Sequence, residues 1–120
     1  MSQLNEFIRK FNEAFTTADV DFILESVTDD IRWEMMGEPV INGKAEVKKE
    51  LEMIKDANKP ELTITKTITH GRTAAIEGTM KMKDKNGVEK TYAFCDTYVL
   101  NKFKDGKIKE LNSYLIELKQ

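Results

Sequence analysis

From Glu61 onward, apolar residues recur at every second position, and this change of period constrains the fold more than any other feature of the chain. Before Glu61 they recur with the spacing of helices, whereas a period of two is typical of strands. Asn86-Gly87 and Asp105-Gly106 are typical of tight hairpin turns, and His70-Gly71 is a plausible earlier turn. These features predict a four-stranded antiparallel meander in the second half of the chain.

The first sixty residues predict three helices and one short strand. Apolar residues at helical spacing run from Leu4 to Ala18, Asp19 is placed to cap a short second helix, and Asn42-Gly43 precedes a third. The strand is predicted between the second and third helices from three apolar residues that alternate with charged ones: Ile31, Trp33 and Met35. The fold class is therefore α+β, in one domain spanning residues 1–120.

Composition excludes several classes of function. The net charge is -2 with both signs interspersed, so we expect no nucleic-acid partner. One histidine and one cysteine make neither a histidine-rich metal site nor an internal disulfide, and we expect no metal and no cofactor. No apolar run approaches the roughly 18 residues of a membrane span, and no apolar signal core follows the first residues. We therefore expect a cytoplasmic protein with no membrane partner.

A carboxylate interrupts the most regular alternation in the chain. Within residues 92–100 every second residue is bulky and apolar except Asp96, and the period of two places all of them on one face. A carboxylate on such a wall is costly to bury unless it is paired, protonated or used. Asp96 is therefore the main candidate for a functional residue.

The hairpin turns predict a register. With Asn86-Gly87 as a two-residue loop, Thr79 lies opposite Phe94 and Glu77 lies opposite Asp96. The turn at Asp105-Gly106 places Asp96 opposite Leu115 and Tyr98 opposite Ser113, and the turn at His70-Gly71 places Ile64 beside Glu77. One face then carries a polar group among apolar residues: Lys66, Glu77, Thr79, Asp96 and Ser113.

Two interpretations of this polar group stay open. Two opposed carboxylates repel each other, so one of Glu77 and Asp96 should hold a proton and suit acid/base chemistry near neutral pH. Alternatively, Lys66 neutralises Glu77, or a carboxylate bonds Tyr98 or Ser113, and the cluster is structural.

The opposite face of the predicted sheet is also apolar between its threonines. Its predicted members are Ile76, Met80, Met82, Ala93, Cys95, Val99, Tyr114 and Ile116. Such a face is unlike a solvated surface, which predicts an interface between two copies of the chain.

The whole pattern resembles the SnoaL-like branch of the nuclear-transport-factor-two-like superfamily. The resemblance rests on three helices, a strand ending at Trp33-Glu34-Met35-Met36-Gly37, a helix start at Asn42-Gly43-Lys44, and a meander that closes with residues 103–108. It implies a cone-shaped curved antiparallel sheet, made of the C-terminal meander and the short N-terminal strand, wrapped on three N-terminal helices. It also implies a pocket inside the cone and a homodimer through the outer sheet face.

The resemblance carries over to individual residues only in part. In ketosteroid isomerase a protonated aspartate occupies the position of Asp96. The tyrosine that acts with that aspartate occupies the position of Phe11, and the general base occupies a position nearest Glu34. A loop one residue different in length would place Met35 there instead. Limonene epoxide hydrolase uses an aspartate–arginine–aspartate arrangement, and those positions hold Thr79, Glu77 and Ser113 here, which does not favour that chemistry.

Together these observations predict a protein that binds a small apolar or polycyclic molecule in a mainly apolar pocket. It would be either a cofactor-free isomerase, cyclase or hydratase-type enzyme, or a non-catalytic ligand-binding or dimerisation module. The predicted catalytic residues are Asp96, Glu77 and Glu34. The predicted pocket residues are Phe11, Phe15, Trp33, Met35, Ile64, Thr79, Phe94, Tyr98 and Ser113.

Overall fold

A computed structural model describes residues 3–54 and 59–119, which form three helices and six strands. In chain order these are α1 (Gln3–Thr16), α2 (Val20–Glu25), β1 (Val27–Met35), β2 (Ile41–Asn42), α3 (Lys44–Ile54), β3 (Glu61–His70), β4 (Thr73–Lys83), β5 (Glu89–Leu100) and β6 (Ile108–Leu118). The α+β class, the three N-terminal helices and the four-stranded C-terminal meander are confirmed.

The helices form where the apolar spacing and capping residues predict them. In α1, Ile8, Phe11 and Ala14 are buried on the side that meets the sheet. Asp19 caps α2 by accepting a hydrogen bond from the backbone N–H of Phe22 at 3.2 Å. Within residues 3–54 and 59–119, no helix has both the length and the apolar character needed to cross a bilayer.

The six strands form one curved sheet in the order β2-β1-β6-β5-β4-β3. The pairing of β1 with β6 is parallel, and the other four pairings are antiparallel. No hairpin joins β1 to β6, so nothing in the local turn chemistry imposes an antiparallel pairing on them. Strand β2 is not predicted from the sequence, because a strand of two residues has no detectable period.

The predicted register between β4 and β5 is wrong by one residue. The connection spans residues 84–88, and the Asp84 carboxylate closes it by accepting hydrogen bonds from the backbone N–H groups of Asn86 at 2.8 Å and Val88 at 3.0 Å. Asp96 therefore pairs with Ile76, and Glu77 pairs with Cys95. Because side chains alternate, this slip moves Glu77 and Thr79 to the face opposite Asp96.

The predicted register between β5 and β6 is wrong by two residues, which leaves the faces unchanged. Residues 101–107 connect these strands, and the Asn101 side chain accepts a hydrogen bond from the backbone N–H of Lys107 at 2.8 Å inside that longer connection. Asp96 consequently lies opposite Ser113, and Tyr98 lies opposite Leu111. Ser113 thus stays on the predicted face and becomes the direct neighbour of Asp96.

A bulge in β3 reverses the faces within that strand. The register with β4 shifts between Ile64 and Lys66, so Ile64 pairs with Gly78 whereas Lys66 pairs with Glu77. Ile68 lies four residues after Ile64, so strict alternation would keep both on one face, but the bulge places Ile68 on the other face, where it is exposed.

We call the face covered by α1 the inner face and the opposite one the outer face. Aligned residues form rows across the inner face. One row consists of Trp33, Leu111, Tyr98, Ala74 and Thr69, and the next consists of Met35, Ser113, Asp96, Ile76 and Thr67. A third row consists of Leu115, Phe94, Gly78 and Ile64. Ile76, Met80 and Met82 belong to this inner face, which corrects their predicted placement, and Ala75 belongs to the outer face.

Gly78 sits opposite the bulge because a side chain does not fit there. A Cβ atom at this position would overlap the carbonyl oxygen of Thr63 and approach the carbonyl carbon of Thr63 to 3.0 Å. The obstructing atoms are backbone atoms of a paired strand, so they cannot move without breaking the β3–β4 pairing.

We predict that Gly78→Ala lowers the free energy of unfolding by about 1–3 kcal/mol, a typical cost for overpacking that displaces backbone. Urea denaturation monitored by circular dichroism measures it. Gly87→Asn is the control: this residue lies in the 84–88 connection with φ of 79° and open space around it, and asparagine tolerates that conformation. Equal stabilities of the two variants would contradict the packing argument.

Candidate active site

Asp96 lies at the boundary between the closed and open parts of the inner face. In the row on one side Tyr98 is 1% exposed, whereas in the row on the other side Phe94 is 8% exposed and Leu115 is 44% exposed, so the inner face opens toward β6. Asp96 itself is half-buried between them, with Ser113 and Ile76 as its neighbours across the sheet. The carboxyl group is thus partly removed from water and still borders an accessible surface.

Burial raises the pKa of Asp96 to about 6, because the charged form loses hydration. Hydrogen bonds from Ser113 and Tyr98 act in the opposite direction, since they stabilise the carboxylate, but they do not offset the burial. Of the two carboxyl groups predicted to share a proton, Asp96 is therefore the one with the raised pKa. The pKa is raised by burial and not by repulsion from an opposed Glu77.

Tyr98 connects Asp96 to the first helix. The Asn12 amide nitrogen donates a hydrogen bond to the Tyr98 hydroxyl oxygen at 2.8 Å and another to the Ile8 carbonyl oxygen at 2.9 Å. Burial and the neighbouring Asp96 charge raise the pKa of Tyr98 well above its usual value, so the hydroxyl keeps its proton. Asn12, Tyr98, Asp96 and Ser113 form a polar chain that runs from α1 through β5 to β6.

Asn12 is not among the site residues predicted from the sequence. It lies four residues after Ile8 and eight after Leu4, so it shares the buried stripe of α1. A polar residue at such a position requires hydrogen-bond partners, and that reasoning could have singled it out.

The predicted aromatic pocket residues pack against one another. The Phe11 ring centroid lies 6.0 Å from that of Tyr98, 6.1 Å from that of Trp33 and 5.5 Å from that of Phe15. Trp33 and Phe15 are also in contact, with centroids 6.0 Å apart. These four rings therefore pack together between α1 and the sheet, and Tyr98 among them also bonds Asp96.

The accessible part of the inner face lies on the other side of Asp96. Met35 is 43% exposed and pairs with Ser113, and Leu115 pairs with the buried Phe94. Ile64 is half-buried in the same row as Phe94. We call Met35, Phe94, Asp96, Ser113 and Leu115 the open half of the inner face.

Two of the predicted catalytic residues and one predicted pocket residue lie on the outer face. Glu77 pairs with Cys95 and forms an exposed ion pair with Lys66, at 3.7 Å. Thr79 pairs with Ala93 and lies on the same face as Glu77. Glu34 lies between the inward residues Trp33 and Met35, and it bonds Arg32 at 3.0 Å. Because successive side chains of a strand point to opposite faces, neither Glu77 nor Glu34 lies beside Asp96.

Glu117 is a second carboxylate on the inner face. It pairs with Tyr92, and the Lys90 ammonium lies 4.0 Å from it. Glu117 is four residues along β6 from Ser113, a separation of about 13 Å along a strand. That distance is too large for Glu117 and Asp96 to act on the same bond.

Other features of the surface lie away from Asp96. Two clefts of about 560 and 430 Å³ border the β5–β6 connection and the ends of β5 and β6 respectively, and neither is lined by a residue predicted for the pocket. Within residues 3–54 and 59–119, no three His, Cys, Asp or Glu side chains are grouped so that they could hold a metal ion.

This chain matches a known protein family. Residues 8–111 match the model of the SnoaL-like domain, which is most of the chain. The chain belongs to the SnoaL-like family. No curated protein sequence matches it.

Solved structures with the same fold include proteins of different roles. A protein of the nuclear-transport-factor-two-like class of unknown function from Cytophaga hutchinsonii is 25% identical, with a TM-score of 0.73 over 93% of this chain and 98% of that one. An epoxide hydrolase from M. tuberculosis is 19% identical, with a TM-score of 0.80 over 92% and 80% of the two chains. A protein from Xanthomonas campestris described as a polyketide cyclase by inference is 19% identical, with a TM-score of 0.77 over 91% and 87%. The two latter likenesses show the shared fold.

The raised pKa of Asp96 predicts a specific pH dependence of stability. The folded state binds a proton at Asp96 more tightly than the unfolded state, where the pKa is near 3.8. The Asp96 contribution to stability is therefore complete below about pH 4 and is lost as the pH rises to about 6. Asp96→Asn removes this dependence, so its stability relative to the wild type should rise across that window by up to about 3 kcal/mol.

Urea denaturation at a series of pH values measures this difference. Glu77→Gln removes one negative charge from the outer face and is the control for net charge. A difference between Asp96→Asn and the wild type that stays constant from pH 4 to pH 7 would show that Asp96 is not desolvated in the folded state.

Proposed function

We propose that this SnoaL-like protein binds a small, mainly apolar molecule on the open half of the inner face, with Asp96 as the polar anchor. The observation that carries the proposal is a half-buried carboxyl with a pKa of about 6, bonded to Tyr98 and Ser113 and bordered by accessible apolar side chains. Half-exposed Met35 and Leu115 supply the apolar contact area.

The chemistry that Asp96 supports is proton transfer. A carboxyl with a pKa of about 6 is protonated in about one molecule in ten at pH 7, so both the acid and the base are present. Since Glu77 and Glu34 lie on the outer face, the proposed enzyme uses Asp96 as acid and base in turn. An isomerisation in which one group moves a proton between two neighbouring atoms of the ligand meets this requirement without a cofactor.

A non-catalytic binding module is the second candidate. The observation in its favour is the close packing of Phe11, Phe15, Trp33 and Tyr98, which occupies the part of the interior predicted to hold a ligand. Such a protein would use Asp96 for recognition alone. The two candidates differ in turnover and agree in the place of binding.

Binding is tested by titrating the ¹⁵N-labelled protein with a panel of bicyclic ketones, phenols and epoxides that includes 2-tetralone and 2-naphthol. We expect amide shifts at Phe94, Asp96, Ser113 and Leu115. Leu115→Arg places a charge on the open half and should weaken binding at least about tenfold. Phe103→Arg is the control, because Phe103 is exposed in the β5–β6 connection, outside the open half and outside the outer face, and it should leave binding unchanged.

Turnover is tested with 2-tetralone in D₂O, where proton NMR follows exchange of the hydrogens next to the carbonyl. Acid/base catalysis by a positioned group contributes on the order of a hundredfold or more, so the wild type should exceed Asp96→Asn by that order. Binding without exchange would favour the non-catalytic module. Amide shifts confined to the outer face, or none with any compound of the panel, would overturn the proposed binding site.

The outer face supports a second proposal, that two copies of the chain pair through it. Tyr114, Ile116 and Leu118 are exposed in a line along β6, and the exposed Ile68 lies at the far side of the same face. Contiguous apolar side chains of this kind are typical of an interface between subunits.

Ile116, which is 68% exposed, provides the test of pairing. We predict that analytical ultracentrifugation gives the wild type a molecular mass of twice that of one 13.8 kDa chain, and gives Ile116→Arg the mass of a single chain. Phe103→Arg is the control, because Phe103 is exposed in the β5–β6 connection and outside the outer face. A monomeric wild type, or a dimer that tolerates Ile116→Arg, would exclude this interface.

A further inference from the structure

The orientation of the Asn12 amide follows from its two hydrogen bonds. One acceptor, the Ile8 backbone carbonyl at 2.9 Å, has no hydrogen to donate, so the amide atom facing it must be the NH₂ group. The same nitrogen lies 2.8 Å from the Tyr98 hydroxyl oxygen. Both hydrogens of the NH₂ group are therefore used, one toward each oxygen.

This orientation determines where the Tyr98 proton lies. The hydroxyl oxygen accepts from Asn12, so its own hydrogen must be directed to a different atom. The Asp96 carboxyl, two residues away on the same face of β5, is the hydrogen-bond partner of this hydroxyl. Tyr98 therefore donates to Asp96.

We propose that Asn12 is a positioning residue that fixes the direction of the Tyr98 proton and thereby the arrangement of protons on Asp96. Tyr98 occupies one carboxyl oxygen as a donor, so a neutral Asp96 carries its proton on the other oxygen, on the side of Ser113 and the open half. The inference rests on the proposed binding role of Asp96 and specifies the ligand group it takes: a carbonyl, ether or epoxide oxygen that accepts this proton.

Few charged or titratable groups surround Asp96, so a change in its pKa can be traced to the substituted residue. Tyr98 and Cys95 are its titratable neighbours on β5, and Cys95 points to the outer face. Ile76 of β4 and Ser113 of β6 pair with Asp96 across the sheet, and both are uncharged. The residues next to its partners are also uncharged: Asn12 and Phe11 of α1 contact Tyr98, and Met35 of β1 pairs with Ser113. A change in the pKa of Asp96 after substitution of Asn12 therefore reports the hydrogen-bonded chain.

The experiment is a pH titration of the Asp96 carboxyl carbon by ¹³C NMR in the ligand-free protein. Tyr98→Phe removes a donor that stabilises the carboxylate, so the pKa of Asp96 should rise above about 6. Asn12→Leu, which keeps the branched shape and replaces the amide oxygen and nitrogen by methyl groups, should raise it in the same direction, because Tyr98 is no longer forced to donate to Asp96. The double variant should show no further rise beyond Tyr98→Phe, since both substitutions break the same chain.

Ser113→Ala is the matched control, because Ser113 reaches Asp96 independently, and its effect should add to that of Asn12→Leu. Asn12→Ala repeats the test with a smaller side chain if the leucine variant does not fold. An unchanged pKa of Asp96 in a folded Asn12 variant, or an Asn12 effect that adds to that of Tyr98→Phe, would overturn the proposal. This titration uses no ligand, so its failure is distinct from a failure of the binding experiment.

Discussion

The contact between α1 and Tyr98 is the interaction on which the rest of the structure depends. Tyr98 is almost completely buried, its ring meets Phe11 edge-on, and its hydroxyl bonds Asn12. A helix can cover only one face of the sheet, and these contacts decide that it covers the face to which Tyr98 points. Every other placement follows from the alternation of side chains along β5: Asp96 comes to lie on the covered face, and Cys95 on the other.

Asp96 lies between the buried Tyr98 and the exposed side chains of Met35 and Leu115, and this explains the intermediate character of that group. Under the helix, an ionised carboxylate would lose most of its hydration, whereas on the open half it would keep nearly all of it. A pKa of about 6 reflects a position between these limits, where two hydrogen bonds partly compensate the lost hydration. The same position leaves one side of the carboxyl group accessible, so the features that perturb its pKa also make it available to a ligand.

Sequence periodicity predicts the elements and which face of β5 is apolar, but it does not predict the register between strands. The helices, the meander and the wall containing Asp96 follow from local spacing. The partners of Asp96 depend on the lengths of the connections, and Asp84 and Asn101 lengthen both hairpins through side-chain hydrogen bonds that a two-residue turn would not contain. A shift of one residue exchanged Glu77 for Ile76 opposite Asp96, whereas a shift of two preserved Ser113 on the correct face. The bulge near Ile64 is equally invisible to periodicity, although Gly78 marks the close approach of backbone that it requires.

The corrected register changes the chemistry more than it changes the fold. With Glu77 opposite Asp96, mutual repulsion would have kept a proton on the pair, and two carboxylates could have divided the roles of acid and base. With Ile76 in that position, burial alone raises the pKa, and Asp96 would meet the proposed ligand with a tyrosine and a serine as hydrogen-bond partners. A hydrolysis needs one group to activate water and another to protonate the leaving atom, and a single carboxyl does not provide both groups at once. A proton shift within one molecule needs only one such group, because a single carboxyl can both accept and return the proton.

The adjacent residues Leu115 and Ile116 belong to the two different faces of the sheet. Leu115 lies on the inner face near Asp96, whereas Ile116 points toward the proposed partner subunit.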